Sequence, residues 1–400
     1  MSRPAAAPIG AEKSRAEANG ALNHETAVLE RYSRVARARD GELCCPVAYD
    51  ERFLKILPQE IIDRDYGCGD PSAFVGAGER VLDLGSGGGK ICYILSQKVG
   101  PGGSVVGVDM NDDMLALAEK HREAIAGRIG WSNVEFKKGR IQDLKTDPRA
   151  IERRLAERPV TDAASLAEFE EFRARRRAER PLIADAGVDV IVSNCVLNLV
   201  RPEDKDAMFG EMHRVLKRGG RAVISDIVAD EDIPEDLRND SDLWSGCISG
   251  AYREDLFLKA FERAGFHGVE ILKWDAEPWQ TVQGIEFRSI TVAAYKGKQG
   301  PCFEKNQAVV YKGPFSAAID DDGHRYPRGE RVAVCEKTFE LLRRGPYADR
   351  MIFIEPRVAA EEGVEFDCSR TTLRHPRETK GMDYKATTEA AGSCCGPECC

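Results

Sequence analysis

Cysteine dominates the chemistry this chain could carry out. Thirteen occur among 400 residues, and they are spread unevenly: Cys44 and Cys45 are adjacent, as are Cys394 and Cys395, and Cys399 and Cys400. No disulfide framework is expected in a chain without a secretory signal, which leaves buried apolar thiols or working ligands. The six histidines (His24, His121, His213, His267, His324, His375) show no pairing with the cysteines at zinc-ligand spacing. A metal or metalloid bound here would therefore be held by sulfur alone. For any single cysteine a small buried residue is the simpler reading, and Cys92 and Cys335 fit it. Cys68, Cys195 and Cys247 fit it poorly, because each sits beside glycine or a polar residue.

A second chemical feature is Val81-Leu82-Asp83-Leu84-Gly85-Ser86-Gly87-Gly88-Gly89-Lys90. A short apolar run stops at an acid, four glycines follow within five positions, and Ile91, Ile94, Leu95 and Val99 then recur at helical spacing. Strand, glycine turn and helix form the nucleotide-binding corner of an α/β sheet, where glycine lets a ligand approach the main chain. Taken alone, the stretch serves equally as a plain connection. Asp109 ends the next strand, where such folds set an acid against ribose hydroxyls. No Arg or Lys pair stands ready for a pyrophosphate, so a cofactor without phosphates fits at least as well.

The elements that must position these residues alternate. Strands are expected at 80–84, 104–109, 133–138, 187–193 and 221–227, with helices at 88–99, 112–126, 203–217 and 253–264, and two late strands near 267–273 and 287–295. This alternation makes a doubly wound, seven-stranded parallel sheet of Rossmann type, closed by its last two strands. Cys195 falls at the carboxyl end of the fourth strand, and Cys247 in the loop after the fifth. Cys68 lies in a segment that can fold over the same edge, where ligands bind in such sheets. A helix is expected near 27–37, and Pro58 divides a helical stretch at 49–64. Residues 147–185 are charged and poor in core positions, as in a surface insertion. Short strands at 308–313, 331–335 and 350–354 around a helix at 336–344 make a small α+β domain. The resulting boundaries are a flexible segment over 1–40, the main domain over 41–298, the small domain over 299–356 and a flexible Cys-rich tail over 357–400.

A net charge of −9 argues against nucleic-acid binding. The arginines at 173–180 are interleaved with glutamates, as on a solvated helix face. No apolar run is long enough to cross a bilayer, and the N-terminus has neither a secretory core nor the acid-poor composition of a transit peptide. A cytoplasmic monomer without membrane contact is expected.

The pattern Asp-x-Gly-x-Gly-x-Gly at 83–89, with Asp109 and then Asn194, resembles the class I S-adenosylmethionine-dependent methyltransferases; a dehydrogenase is the alternative for this corner. Four phrases are similar to the arsenite methyltransferases: Tyr66-Gly67-Cys68-Gly69, Leu82-Asp83-Leu84-Gly85-Ser86-Gly87-Gly88-Gly89, Ser193-Asn194-Cys195-Val196-Leu197-Asn198-Leu199-Val200 and Trp244-Ser245-Gly246-Cys247. The small domain also looks like that family's C-terminal domain, so the resemblance covers roughly residues 40 to 356. It implies S-adenosylmethionine held by Asp83, Gly85, Ser86, Gly87, Gly89, Asp109, Met110, Ile141 and Asn194. It implies arsenite and methylarsenite as substrates, with As(III) held by Cys68, Cys195 and Cys247. Trivalent arsenic is soft and prefers thiolate sulfur, and three thiolates leave its lone pair free to take the methyl group. The transfer formally oxidises arsenic, and a relay thiol restores it by forming a disulfide with a ligand cysteine. The resemblance assigns that relay to the pair Cys44-Cys45 without choosing between them, and implies glutathione or thioredoxin as the external reductant. A methyltransferase of another small molecule, or a thiol-rich protein that sequesters metalloids, are the competing functions.

Overall fold

The sheet edge where the cysteines were expected to meet is built by strands in register. A computed structural model describes residues 24–37 and 47–388. Its main sheet contains β1 (Arg80–Leu84), β2 (Ser104–Asp109), β3 (Val134–Lys138), β4 (Val188–Asn194), β5 (Leu216–Ala229), β6 (His267–Trp274) and β7 (Ile285–Tyr295). Their order is β3-β2-β1-β4-β5-β7-β6, and short strands at Tyr252–Arg253 and Gln280–Val282 pair at its margin. The first five strands pair in parallel, whereas β7 runs antiparallel between β5 and β6. Leu84 lies opposite Val108 and Ser193, and Asn194 lies opposite Ser225. The carboxyl ends of β1, β2, β4 and β5 therefore form one rim.

The elements follow from the sequence pattern. β1 buries Val81, Leu82, Asp83 and Leu84, as befits a central strand covered on both faces. Helices α1 (His24–Val35), α2 (Lys90–Val99), α3 (Asp112–Ile129), α4 (Pro148–Glu157), α5 (Ala163–Glu179), α6 (Lys205–Val215) and α7 (Glu254–Arg263) complete the main domain. The Asn111 side chain caps α3 by accepting from Asp113 N and Met114 N. Helices α4 and α5 form the charged insertion, and α5 buries no residue. Arg177 of α5 reaches back to Asp143 after β3 at 2.5 Å, and Arg176 reaches Asp147 at the start of α4 at 3.5 Å.

The helix expected to run to 217 stops short of it. Helix α6 already ends at Val215, and both glycines lie within β5, which begins at Leu216. The reason is tertiary: Leu216 pairs with Val188 across a register shift, and Gly220 sits where a Cβ would come 2.7 Å from the Asp189 carbonyl.

The small domain holds strands β8 (Ala308–Tyr311), β9 (Ala317–Ile319), β10 (Arg325–Pro327), β11 (Val332–Ala333) and β12 (Met351–Ile354), with helix α8 (Glu336–Leu342). The sheet order is β11-β8-β12, and β9 with β10 forms a hairpin. A boundary at 356 falls too early. Residues after it form a strap whose backbone bridges join Glu365 to Phe303 and Leu373 to Val332. Arg374 is buried in the strap, with its guanidinium 2.7 Å and 2.8 Å from the two Glu304 oxygens. The strap is polar and aperiodic, and main-chain bonds with one buried ion pair anchor it in place of an apolar face.

Candidate active site

The glycine turn, the end of β2 and α1 enclose a cavity. Its lining includes Asp83, Gly85, Ser86, Gly87, Asp109, Met110, Ile141, Asn194 and Cys195, with Val28, Leu29 and Tyr32 of α1 opposite. Gly85 takes φ +73° and Gly87 φ +49°, angles that favour glycine. A Cβ on Gly85 would strike Val196, whereas one on Gly87 would meet nothing within 4 Å, which leaves that main chain bare toward the cavity. Gly89 is different. It is not on the cavity wall, and a Cβ there would come within 2.8 Å of the Phe136 ring, so its part is helix packing and not the ligand contact expected of it.

Asp109 is braced from behind: Oδ2 accepts from Gly87 N at 2.8 Å and Oδ1 from Asn111 N at 2.9 Å. Burial raises its pKa above the ordinary carboxylate value, against the pull of those N–H groups. Asp83 is pushed up to about 7 by burial, although the Cys92 thiol donates to it at 3.1 Å. The Ser86 hydroxyl is buried without a partner among the described residues. A carboxylate ready to accept hydroxyl donors, an orphaned hydroxyl and a bare glycine main chain fit the ribose and amino-acid parts of S-adenosylmethionine.

The thiol side of the rim is assembled from three loops. Cys195 follows β4 at φ +60° and Cys247 follows the short helix Ser241–Ser245 at φ +65°, both in the left-handed region. Cys68 and Cys195 are joined in a disulfide, their Cα atoms 5.8 Å apart, within the range such a bond spans. The expectation of thiols without disulfides is therefore corrected at one place among the described residues. Cys247 donates from Sγ to the Cys195 carbonyl at 3.2 Å. All three are buried in an apolar cluster with Ile227, Ile233, Leu237, Ile248 and Phe287. Cys44 and Cys45, and the four cysteines of the tail, lie outside the described residues.

Asn194 lines the cavity where a cofactor contact was expected, and its amide is also bonded to the Cys68 loop. Its Oδ1 accepts from Cys68 N at 2.9 Å and Gly69 N at 3.0 Å, and its Nδ2 donates to Gly69 O at 2.7 Å and Tyr49 Oη at 3.1 Å. Two acceptor and two donor positions are thereby filled, and the amide ties the Cys68 loop to β4. Gly67 has no room for a Cβ against that same side chain. Ser289 Oγ adds a bond to the Cys68 carbonyl at 2.8 Å.

Two contributors were missed from the sequence. Asp226 lies with Cys68 and Cys195 in a group whose ligand atoms are all within 4.8 Å of one another. Its oxygens accept from Leu197 N at 2.9 Å and Ile227 N at 2.8 Å, so it holds the loop after β4, and burial pushes it up to about 6. An acid near the end of an apolar strand was the available signal. The other is α1, which roofs the cavity and bonds through Arg31 to Asp242 O at 2.9 Å and Ser245 Oγ at 3.1 Å. Its helical stretch was legible in the sequence, but its docking partner was not.

Comparison with known proteins decides between the methyltransferase and dehydrogenase readings of the corner. A family described as a methyltransferase domain matches residues 76–152 and 159–265. The arsenite methyltransferase of Aquipseudomonas alcaligenes is 34% identical over 370 residues, covering 88% of this chain and 93% of its own. The chain belongs to the arsenite methyltransferase family. The arsenite methyltransferase of Mus musculus is 29% identical, with 87% of this chain and 88% of its own covered. The crystal structure of an arsenic(III) S-adenosylmethionine methyltransferase from Chlamydomonas reinhardtii superposes with a TM-score of 0.50 at 27% identity, covering 80% of this chain and 99% of that one. Residues 298–384 also match a family described as a domain of unknown function, which includes the strap.

Proposed function

We propose that this protein methylates trivalent arsenic, arsenite first and then methylarsenite, with S-adenosylmethionine as methyl donor. The observation that carries the reading is the meeting of Cys68, Cys195 and Cys247 on the rim that also bears the glycine turn and Asp109. S-adenosylmethionine, when bound, supplies an electrophilic sulfonium methyl group. Asp109 would accept from the ribose hydroxyls, with Ser86 and the bare Gly87 main chain beside the amino-acid end. Met110 and Ile141 supply apolar wall.

The thiols act on the acceptor. Reduction of the Cys68–Cys195 disulfide by two electrons frees two thiols beside Cys247, and glutathione or thioredoxin is the reductant we assign. The three sulfurs then bind As(III) and hold it in a dry, apolar cluster. The arsenic lone pair would form the new As–C bond as the sulfonium S–CH3 bond breaks and S-adenosylhomocysteine leaves, and arsenic would pass from the trivalent to the pentavalent state. Two thiols return it to the trivalent state by closing a disulfide, and Cys44 or Cys45 is placed in that relay by resemblance to the family. No base is needed, since a lone pair and not an N–H or O–H group attacks. The cytoplasm, with its thiol reductants, suits this cycle, and no helix among the described residues is long and apolar enough to cross a membrane.

Incubating the purified chain with arsenite, S-adenosylmethionine and glutathione, then separating arsenic species by chromatography, tests the proposal. Mono- and dimethylated arsenicals are expected. Arsenite recovered unchanged while another small acceptor is methylated would overturn it.

A further inference from the structure

A second convergence of sulfur lies in the small domain. The ligand atoms of Cys302, Cys335 and Cys368 are all within 4.8 Å of one another. They come from three separate segments: the entry to the domain, the residue before α8, and the strap. Backbone bonds clamp those segments together. Phe366 N donates to Cys302 O at 2.9 Å, Glu304 N to Val364 O at 2.8 Å, and Glu336 N to Phe303 O at 2.9 Å. Cys335 Sγ is further fixed by accepting from Thr338 N at 3.4 Å. Cys335 and Cys368 line a void of about 10 Å³ with His324, Tyr326 and Phe366, room for about one small atom.

The donor set selects the ion. Among the described residues the group consists of three sulfurs with no histidine nitrogen or carboxylate oxygen. His324, the nearby candidate for a fourth ligand, has Nδ1 engaged with Asp320 at 2.9 Å and Nε2 with the Cys368 carbonyl at 3.1 Å. A structural zinc ion takes four ligands in a tetrahedron, which three sulfurs do not complete. Trivalent arsenic takes three sulfurs in a pyramid and keeps its fourth direction for the lone pair. The three thiols are also not bonded to one another, in a structure that does close the Cys68–Cys195 pair.

We infer that Cys302, Cys335 and Cys368 form a second binding site for inorganic trivalent arsenic, separate from the methyl-transfer cavity. On binding, three As–S bonds form and three As–O bonds of arsenous acid break. Each thiol proton leaves with a hydroxide as water, and arsenic stays trivalent. Methylarsenite has one direction taken by carbon and can engage only two of the sulfurs, so the site discriminates the substrate from its first product. The filled site cross-links three segments of the small domain and stabilises it by mass action. The assignment rests on sulfur number and placement, not on the methylation reading.

Arsenic bound per reduced chain, measured by elemental mass spectrometry after gel filtration with arsenite as probe, tests the inference. Cys302→Ser with Cys368→Ser should lower the bound arsenic by one atom per chain, and Cys195→Ser with Cys247→Ser should lower it independently at the other site. X-ray absorption of the second variant should still show arsenic bound by three sulfurs. Equal arsenic in the native and Cys302→Ser/Cys368→Ser chains would overturn the site. So would a disulfide among the three cysteines in the reduced chain, or a zinc ion that arsenite does not displace. An unchanged thermal midpoint without arsenic shows that the double variant folds; if it falls, Cys302→Ser alone, at a half-buried position, must give the same loss of one atom. Loss of methylation in Cys195→Ser leaves this result untouched, so the two readings fail separately.

Discussion

The two halves of the methyl-transfer site are built in different ways. The donor half is local: the bond from Gly87 to Asp109 spans 22 positions, and both ends belong to neighbouring strands with their turns. The acceptor half is not. Asn194 reaches Cys68 across 126 positions, Ser289 reaches it across 221, and Cys247 reaches Cys195 across 52. A strand-turn-helix corner forms wherever its own segment folds, whereas the sulfur cluster exists only when the whole sheet is assembled. Cofactor binding and arsenic binding should therefore come apart under mutation.

The largest separation is expected at the sulfurs. Cys68→Ser, Cys195→Ser or Cys247→Ser should reduce arsenite methylation to background while the S-adenosylmethionine Kd, read by calorimetry, moves by no more than about twofold, as for independent sites. Full activity in any of the three would remove that cysteine from the ligand set. Next comes the reverse case. Asp109→Ala removes charge-assisted hydrogen bonds worth about 1.5–3 kcal/mol, so S-adenosylmethionine should bind about 10- to 100-fold more weakly. Arsenite bound per chain should not change, and a parallel loss of arsenic would mean that the halves are coupled.

Asn194→Ala should give a smaller and more selective effect. It loosens the Cys68 loop, and the arsenite KM should rise about tenfold, the lower range for residues that orient a ligand, with kcat less affected. An equal loss of cofactor affinity would show the donor contact first expected of Asn194. The mildest effect concerns pH. Asp83 sits at about 7 because burial disfavours its charge, and a sulfonium ligand favours the ionised carboxylate. Cofactor affinity should therefore tighten as pH rises toward 7 and level off above it, by up to about tenfold per pH unit at the steepest. Asp83→Asn should flatten that profile. A slope that survives in the variant would assign the titration to another group.

The difference between the halves also explains what could be read from the sequence. Strands 80–84 and 104–109 match the structure to the residue, because apolar runs bounded by glycine and acid leave little choice of ends. The placing of Cys195 and Cys247 was legible from strand ends alone. Asn194 was placed at the right edge, but its tie to the Cys68 loop was not foreseen, since nothing local marks an amide whose four bonds go to loop 67–69 and Tyr49. Gly89 carried the motif's signature yet serves Phe136, a contact set by strand β3. Cys335 reads as an ordinary buried thiol until the strap brings Cys368 to it, and the strap has no apolar period to announce it. The hairpin of β9 and β10 escaped for a similar reason: each strand has three residues and little burial.

Cys195 and Cys247 both hold a left-handed backbone, which costs a residue with a side chain roughly 1–2 kcal/mol. Glycine would adopt the same angles without that cost. It would also delete a buried side chain from the apolar cluster at each position, and at Cys195 the bond to Cys68 as well. The surrounding packing therefore over-determines a backbone that a side chain alone would avoid, and the rim keeps its sulfurs in fixed directions at the expense of local ease.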